Sequence, residues 1–247
     1  MSATSRTLTG IPGLDEILGG GIPQGRVVLV VGGPGSGKTI LSTQFLVNGV
    51  KNYGENATFV SLDESKQHYY SEMSKFGWDL AKLEQERKFV FVDASPIRTI
   101  PGEVKIGKMT IGKKDFSLLS LVEGIKSGVK AIDAKRVVID PIASLIFQFP
   151  DAILRRNAVL DLVEALVETG GTCLLTTELR APGLERSVQL EEYLAHGVIV
   201  LQVVQVGRSI VRSLQVETMR ETAIDMQPRP YKITSSGIEV FPKESIY

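Results

Sequence analysis

The chain of 247 residues has one cysteine, Cys173, and two histidines, His68 and His196. A single cysteine excludes an intrachain disulfide and suits a reducing compartment. It lies in an apolar, strand-like run, the setting of an inert core thiol. One thiol and two imidazoles are too few for a zinc site, and no Ser-His-Asp arrangement can be argued from them. Charge of one sign is missing too, because 28 Lys and Arg balance 28 Asp and Glu. No global field draws the chain to nucleic acid or to an anionic membrane, which leaves only a local patch for such a role. No apolar stretch reaches the roughly 18 residues of a membrane span. The opening MSATSRTLTG has no apolar core of a secretory signal. The expectation is a soluble, cytoplasmic protein with no membrane partner. Internal repeats and low-complexity tracts are absent as well.

What is present is ordinary globular composition, 43% hydrophobic and 23% charged, enough for a substantial core. Apolar, β-branched runs at 26–31, 57–62, 88–93, 136–140 and 172–176 predict strands. They are continuous rather than alternating, as strands buried on both faces are. Between the last two runs, Val159, Leu162, Val163, Leu166 and Val167 form one helical stripe, closed by Gly170-Gly171. Strand–helix alternation predicts an α/β fold with a mostly parallel sheet flanked by helices. The segments 197–205, 209–217, 231–235 and 238–241 read as consecutive strands, with Val206-Gly207-Arg208 as a tight turn. The expectation is therefore one domain over 1–247, with a lead-in at 1–25 and a β-rich antiparallel extension at 197–241. Residues 95–114 break the pattern. They hold two prolines, three glycines and five cations (Arg98, Lys105, Lys108, Lys113, Lys114) against one acid, Glu103. They read as a long irregular loop, of a kind that is functional or mobile.

The most specific feature is Gly32-Gly33-Pro34-Gly35-Ser36-Gly37-Lys38-Thr39, a complete G-x-x-x-x-G-K-[ST] phosphate-binding loop. Its glycines let successive backbone N–H groups turn inward around a polyphosphate. Lys38 supplies a point charge for the β- and γ-phosphates, and the Thr39 hydroxyl is a Mg²⁺ ligand. The context agrees: the strand-like run Val27–Val31 precedes the loop, and a helix-like run opens after it at Ile40. The positive end of that helix would face the phosphates. Residues 33–40 (Gly33, Pro34, Gly35, Ser36, Gly37, Lys38, Thr39 and Ile40) are thus the candidate nucleotide contacts.

Hydrolysis needs a second metal-organising carboxylate and a group that orients the attacking water. The run Arg136-Val137-Val138-Ile139-Asp140 places Asp140 at the C-terminal edge of the sheet, beside the loop. There it would hold Mg²⁺ through a water, making Thr39 and Asp140 the candidate metal residues. A second apolar run ends in Asp63-Glu64, and one of these carboxylates can polarise a water in line with the γ-phosphate. Adjacent residues at a strand end point to opposite sides, so only one of the two is expected to face the phosphate. Spacing alone leaves a solvated turn as the other reading.

The lead-in Thr9-Gly10-Ile11-Pro12-Gly13-Leu14-Asp15-Glu16-Ile17-Leu18-Gly19-Gly20-Gly21-Ile22-Pro23 resembles the opening of the KaiC-like branch of the RecA/RadA ATPases. So, in order, do Asp63-Glu64, the strand ending at Asp140, the stretch from Glu192 to Val200, Met219-Arg220, and the close Gly237-Ile238-Glu239-Val240-Phe241-Pro242. The likeness is to a stand-alone, single KaiC domain of archaeal or bacterial type. It implies a RecA-like core with ATP and Mg²⁺ bound between neighbouring subunits, often in a hexameric ring. It also implies that Asp63 or Glu64 is the catalytic carboxylate, where the family usually has Glu-Glu. Clock members of the family place K-x-R-G on a C-terminal strand against the neighbour's γ-phosphate. This chain has Thr218-Met219-Arg220-Glu221, keeping Arg220 as a candidate finger in trans and lacking the lysine. His196 stands where the family often has Asp and is expected to be structural. Thr176 and Thr177 end another central strand, where a γ-phosphate reader and satisfied core hydroxyls are both open. His68, with Tyr69 and Tyr70, reads as adenine stacking or a surface helix.

Three functions fit these residues. The first is a ring-forming, Mg²⁺-dependent slow ATPase, catalysed by Lys38, Asp63, Glu64 and Arg220, that drives or times an unknown protein partner. The second is a nucleotide-sensing binding module with little turnover. The third is a recombinase-like role on single-stranded DNA through the 95–114 loop and through Arg180 and Arg186, in the segment 179–190. That segment carries Glu185 and no aromatic to stack on a base. Autophosphorylation is a further implication of the resemblance, with no serine or threonine assigned.

Overall fold

A computed structural model describes residues 5–94, 104–106, 109–111, 118–179, 186 and 188–246. The lead-in forms β1 (Arg6–Thr7), α1 (Leu14–Ile17) and β2 (Ile22–Pro23), with β1 and β2 paired as a small antiparallel sheet. Then come β3 (Val27–Gly32), α2 (Lys38–Asn48) and a π-helical turn at Gly49–Tyr53. β4 (Ala57–Ser61), α3 (Lys66–Ser74), α4 (Leu80–Gln85) and β5 (Phe89–Asp93) follow. The short strands β6 (Val104–Ile106) and β7 (Met109–Ile111) pair with each other. The chain continues through α5 (Leu118–Ile132), β8 (Arg136–Asp140), α6 (Ala143–Ile146), α7 (Ala152–Glu168) and β9 (Thr172–Glu178). It ends in α8 (Leu190–Leu194), β10 (Gly197–Val206), β11 (Ser209–Met219), β12 (Arg229–Thr234) and β13 (Gly237–Val240).

Nine strands make one sheet in the order β13-β12-β11-β10-β3-β9-β8-β4-β5. From β10 to β5 all pairings are parallel, and β10 to β13 form an antiparallel meander. The five parallel strands predicted from the apolar runs are present, and so is the antiparallel extension. β3 shows why its sequence has no polar alternation. Val28 and Val30 face a core shared with α1–α4 and the C-terminal strands, while Val27, Leu29 and Val31 face a second core under α5–α8. All five are completely buried, each contributing about 1.5–3 kcal/mol relative to exposure.

Two expectations change. On α7, Val159, Leu162, Val163 and Leu166 are buried, but Val167 is 42% exposed. At about 100° per residue Val167 lies at the edge of the stripe rather than its centre. Within 95–114, which read as wholly irregular, the described residues are a short antiparallel pair with Val104 opposite Ile111. The rest of that segment lies outside the described residues, as do Arg180 and the Pro182-Gly183 turn.

One charge is built into the core. The Arg136 side chain at the start of β8 is fully buried. Its guanidinium donates to the carbonyls of Phe45 (2.8 Å) and Leu8 (2.7 Å) and to Glu55 (2.6 Å), and it stacks over Phe45 and Tyr53. Burial lowers its pKa, and Glu55 opposes that shift. This one residue ties the lead-in, α2 and the sheet together. Gly49 makes room for it, since a Cβ there would overlap Cδ and Nε of Arg136.

Candidate nucleotide site

β3 runs directly into the glycine loop, and α2 leaves it at Lys38. Gly35 (φ 71) and Gly37 (φ 88) take left-handed backbone, which glycine adopts without steric cost. A Cβ on Gly33 or Gly35 would meet nothing within 4 Å, so these residues border open space. α2 has no side-chain cap, which leaves its first-turn N–H groups, including that of Ile40, directed at the same space. Together they form a cradle of donors suited to a polyphosphate. Lys38 Nζ donates to the carbonyls of Gly32 (2.7 Å) and Gly33 (3.3 Å). Burial lowers its pKa, while Asp140 and Glu178 pull the other way.

The far end of the cleft is lined with oxygen. Thr39 Oγ1 donates to Asp140 Oδ2 at 2.6 Å, and Thr176 on β9 donates to Asp140 Oδ1. Burial raises the Asp140 pKa, and the two threonines and Lys38 counter that shift. A hydroxyl and a carboxylate in contact are the donor set of a hard cation such as Mg²⁺. No group of three or more His, Cys, Asp or Glu residues able to hold a metal occurs among the described residues, so a softer, protein-caged metal has no site there. Lys38, Thr39, Phe59, Ser61, Asp63, Glu64, Asp140, Pro141 and Glu178 line a cleft of about 240 Å³. Glu178 escaped the sequence reading because its place depends on β9 lying beside β3, a pairing of distant segments.

Asp63 and Glu64 both border the cleft. The chain bends just past β4. Ser61 Oγ donates to the Glu64 carbonyl (2.7 Å) and accepts from the Glu64 N–H (2.9 Å). Their surroundings differ. Asp63 accepts a hydrogen bond from Ser144, in α6. Glu64 is half-buried, and its pKa is raised by burial first, then by Glu72 and Asp140. A carboxyl with a raised pKa at a triphosphate cleft fits a general base.

Arg220 is not in this cleft. It follows β11, its N–H donates to the His196 carbonyl (2.9 Å), and its exposed side chain shares a groove with Glu164, Val167, Tyr193 and His196. Gly197 pairs with both Val28 and Met219, which puts Arg220 level with the start of β3. Lys38 lies past the end of β3, about 17 Å away along the strand at roughly 3.3 Å per residue. Within one chain Arg220 therefore lies away from this loop.

The remaining residues read from the sequence have internal roles. His196 Nδ1 accepts the Val27 N–H (3.1 Å), in accord with its expected structural role. Arg186 is held by Glu192 and Glu217, so its guanidinium is already committed. Thr176 holds Asp140, and Thr177 reaches Glu191 at 3.4 Å. Tyr69 is completely buried, stacked on Phe59 with ring centroids 4.0 Å apart and bonded to Thr43. It lies on the buried side of α3, whose other side carries the exposed His68, so the surface-helix reading of this segment holds and Tyr69 is no base platform.

Comparisons with known proteins match this geometry. The family described as "ATPase: KaiC" matches residues 7–245. A UPF0273 protein of Pyrococcus horikoshii is 37% identical over 246 residues, covering 97% of this chain and 95% of its own. The circadian clock oscillator protein KaiC of Synechococcus elongatus is 35% identical over 241 residues; these cover 97% of this chain but 45% of the clock protein. A crystal structure of a KaiC-like protein from Pyrococcus horikoshii superposes with a TM-score of 0.81 at 37% identity, covering 97% of this chain and all of that one.

Proposed function

Because the chain belongs to the KaiC family of ATPases and has its RecA-type fold, we propose that it binds Mg²⁺-ATP in this cleft and hydrolyses it slowly. In this reading it works as one ATPase domain, assembled head to tail as a ring with ATP between neighbours, in a regulatory role toward a protein partner. The observation that carries it is the contact of Thr39 with Asp140, at 2.6 Å, beside Lys38. Those groups would hold the metal and the terminal phosphates together.

The loop N–H groups and Lys38 bind and orient the phosphates. Thr39 and Asp140 would hold Mg²⁺, which supplies charge neutralisation on the phosphate oxygens. Glu64 accepts the proton of the attacking water at its carboxylate. Asp63, tied to Ser144, borders the approach. Arg220 of a neighbouring copy would add positive charge where it develops on the γ-phosphate.

Phosphate release with Mg²⁺-ATP tests this. Wild type is expected to turn over slowly and Lys38→Ala to fall to background; equal release by both would refute it. A binding module with little turnover is favoured by one observation: Thr218 stands where the clock members place the lysine that touches a neighbour's γ-phosphate. ATP that shifts oligomer size without phosphate release would select that reading.

A further inference from the structure

We propose that Tyr231 on β12 is a positioning residue for the phosphate-binding loop, one that sets the direction of the Gly37 N–H. This rests on the reading of the cleft as an ATP site. The Tyr231 hydroxyl is buried in the molecule and donates to the carbonyl of Ser36, inside the loop and 195 residues away, at 2.5 Å. A trans peptide is planar, so its C=O and N–H point in opposite directions. Holding the Ser36 carbonyl against β12 therefore turns the N–H of Gly37 away from β12. That N–H has no acceptor among the described residues, and the open space beside Gly33 and Gly35 is what the loop leaves for a ligand.

Two further contacts keep β12 in place for this task. A Cβ on Gly37 would lie 3.1 Å from Ile233 Cδ1 and 3.3 Å from Ile238 Cδ1, so the β12–β13 hairpin walls the other side of Gly37. The Gln44 amide in α2 clasps β13 on both sides: it accepts from the Ile238 N–H (2.6 Å) and donates to the Ile238 carbonyl (3.1 Å). The hairpin is thus fastened to the helix that the loop opens. Burial raises the pKa of the phenol, so it stays protonated and remains a donor. A phenylalanine would fill the same volume; the hydroxyl is what reaches the loop.

The test is Tyr231→Phe in the full chain, with ATP affinity from titration calorimetry, steady-state kinetics and amide hydrogen exchange. Expected is a fall of about five- to tenfold in ATP affinity and an equal rise in KM, with kcat at saturation within about twofold of wild type. Exchange should quicken in residues 33–39 of the nucleotide-free protein and return to the wild-type rate with ATP. ATP affinity within about twofold of wild type, or exchange that rises alike in α2, β12 and β13 with kcat reduced, would overturn the proposal. Wild-type protein that binds ATP no better than Lys38→Ala would instead overturn the ATP site itself.

Discussion

Asp140 is the residue on which the cleft turns. Its two oxygens are taken by Thr39 and Thr176, so it is aimed before any ligand arrives, and aim of this kind is where rate is won or lost. The acidic pair divides along similar lines. Glu64→Gln is expected to lower kcat by about 10²–10³-fold, the loss typical of a general base. Asp63→Asn should cost less than about tenfold, since a group already bonded to Ser144 is less able to take a proton. Equal losses from the two would refute the division. The raised pKa of Glu64 also places the acidic fall in rate above the ordinary carboxylate range, and a pH–rate profile checks this. His196 offers a test of stability. Burial lowers its pKa, aided by Arg220 and Arg26, so between its folded pKa and its ordinary value near 6.5 the unfolded chain binds more protons. Stability therefore falls as pH drops through that window. His196→Asn, whose side-chain oxygen can still accept from Val27, should flatten the fall in melting temperature as pH drops below the ordinary imidazole value near 6.5. Lys38 and Thr39 were legible because their meaning lies in local spacing. Ser144, Glu178 and Tyr231 were not, because each reaches the site through a pairing of segments far apart in sequence.

Among the elements, β8 has a different demand at each end. It begins at Arg136, a buried cation, and ends at Asp140, a half-buried carboxylate. An apolar run ending in Asp was readable as a strand meeting a site. The burial of the Arg136 that begins it was not readable, because nothing nearby in sequence announces Glu55, Phe45 O and Leu8 O as its partners. The π-helical turn after α2 belongs to this arrangement, since Gly49 gives Arg136 its space. Gly49→Ala is expected to destabilise the fold by about 1–3 kcal/mol, the usual cost of overpacking, measured by urea denaturation. An unchanged midpoint would show that the arginine moves aside freely. The edge of the α7 stripe was misplaced for a simpler reason: periodicity gives the direction of a face but not its width, and Val167 sits where the groove with Tyr193 begins.

For the whole molecule, the parallel sheet with its antiparallel extension and the resemblance of ordered motifs were readable from the chain, whereas the strand order and the relation between its two candidate catalytic ends required coordinates. Lys38 and Arg220 lie toward opposite ends of the strands of one sheet, the one past the end of β3 and the other level with its start. If Arg220 acts on a neighbour, Arg220→Ala should slow hydrolysis by up to about 10³-fold, the lower end for an arginine finger. A mixture of Arg220→Ala and Lys38→Ala proteins should then exceed the sum of their separate rates, because one supplies the intact loop and the other the arginine. A strictly additive mixture would refute action in trans.

That separation of ends also has a stoichiometric consequence. In an open head-to-tail row every copy but one would receive a neighbour's arginine, so a pair completes one site and a trio two. Closing the row completes the last site without adding a subunit. Activity per chain would then rise with protein concentration in steps of assembly and level off once the row closes on itself.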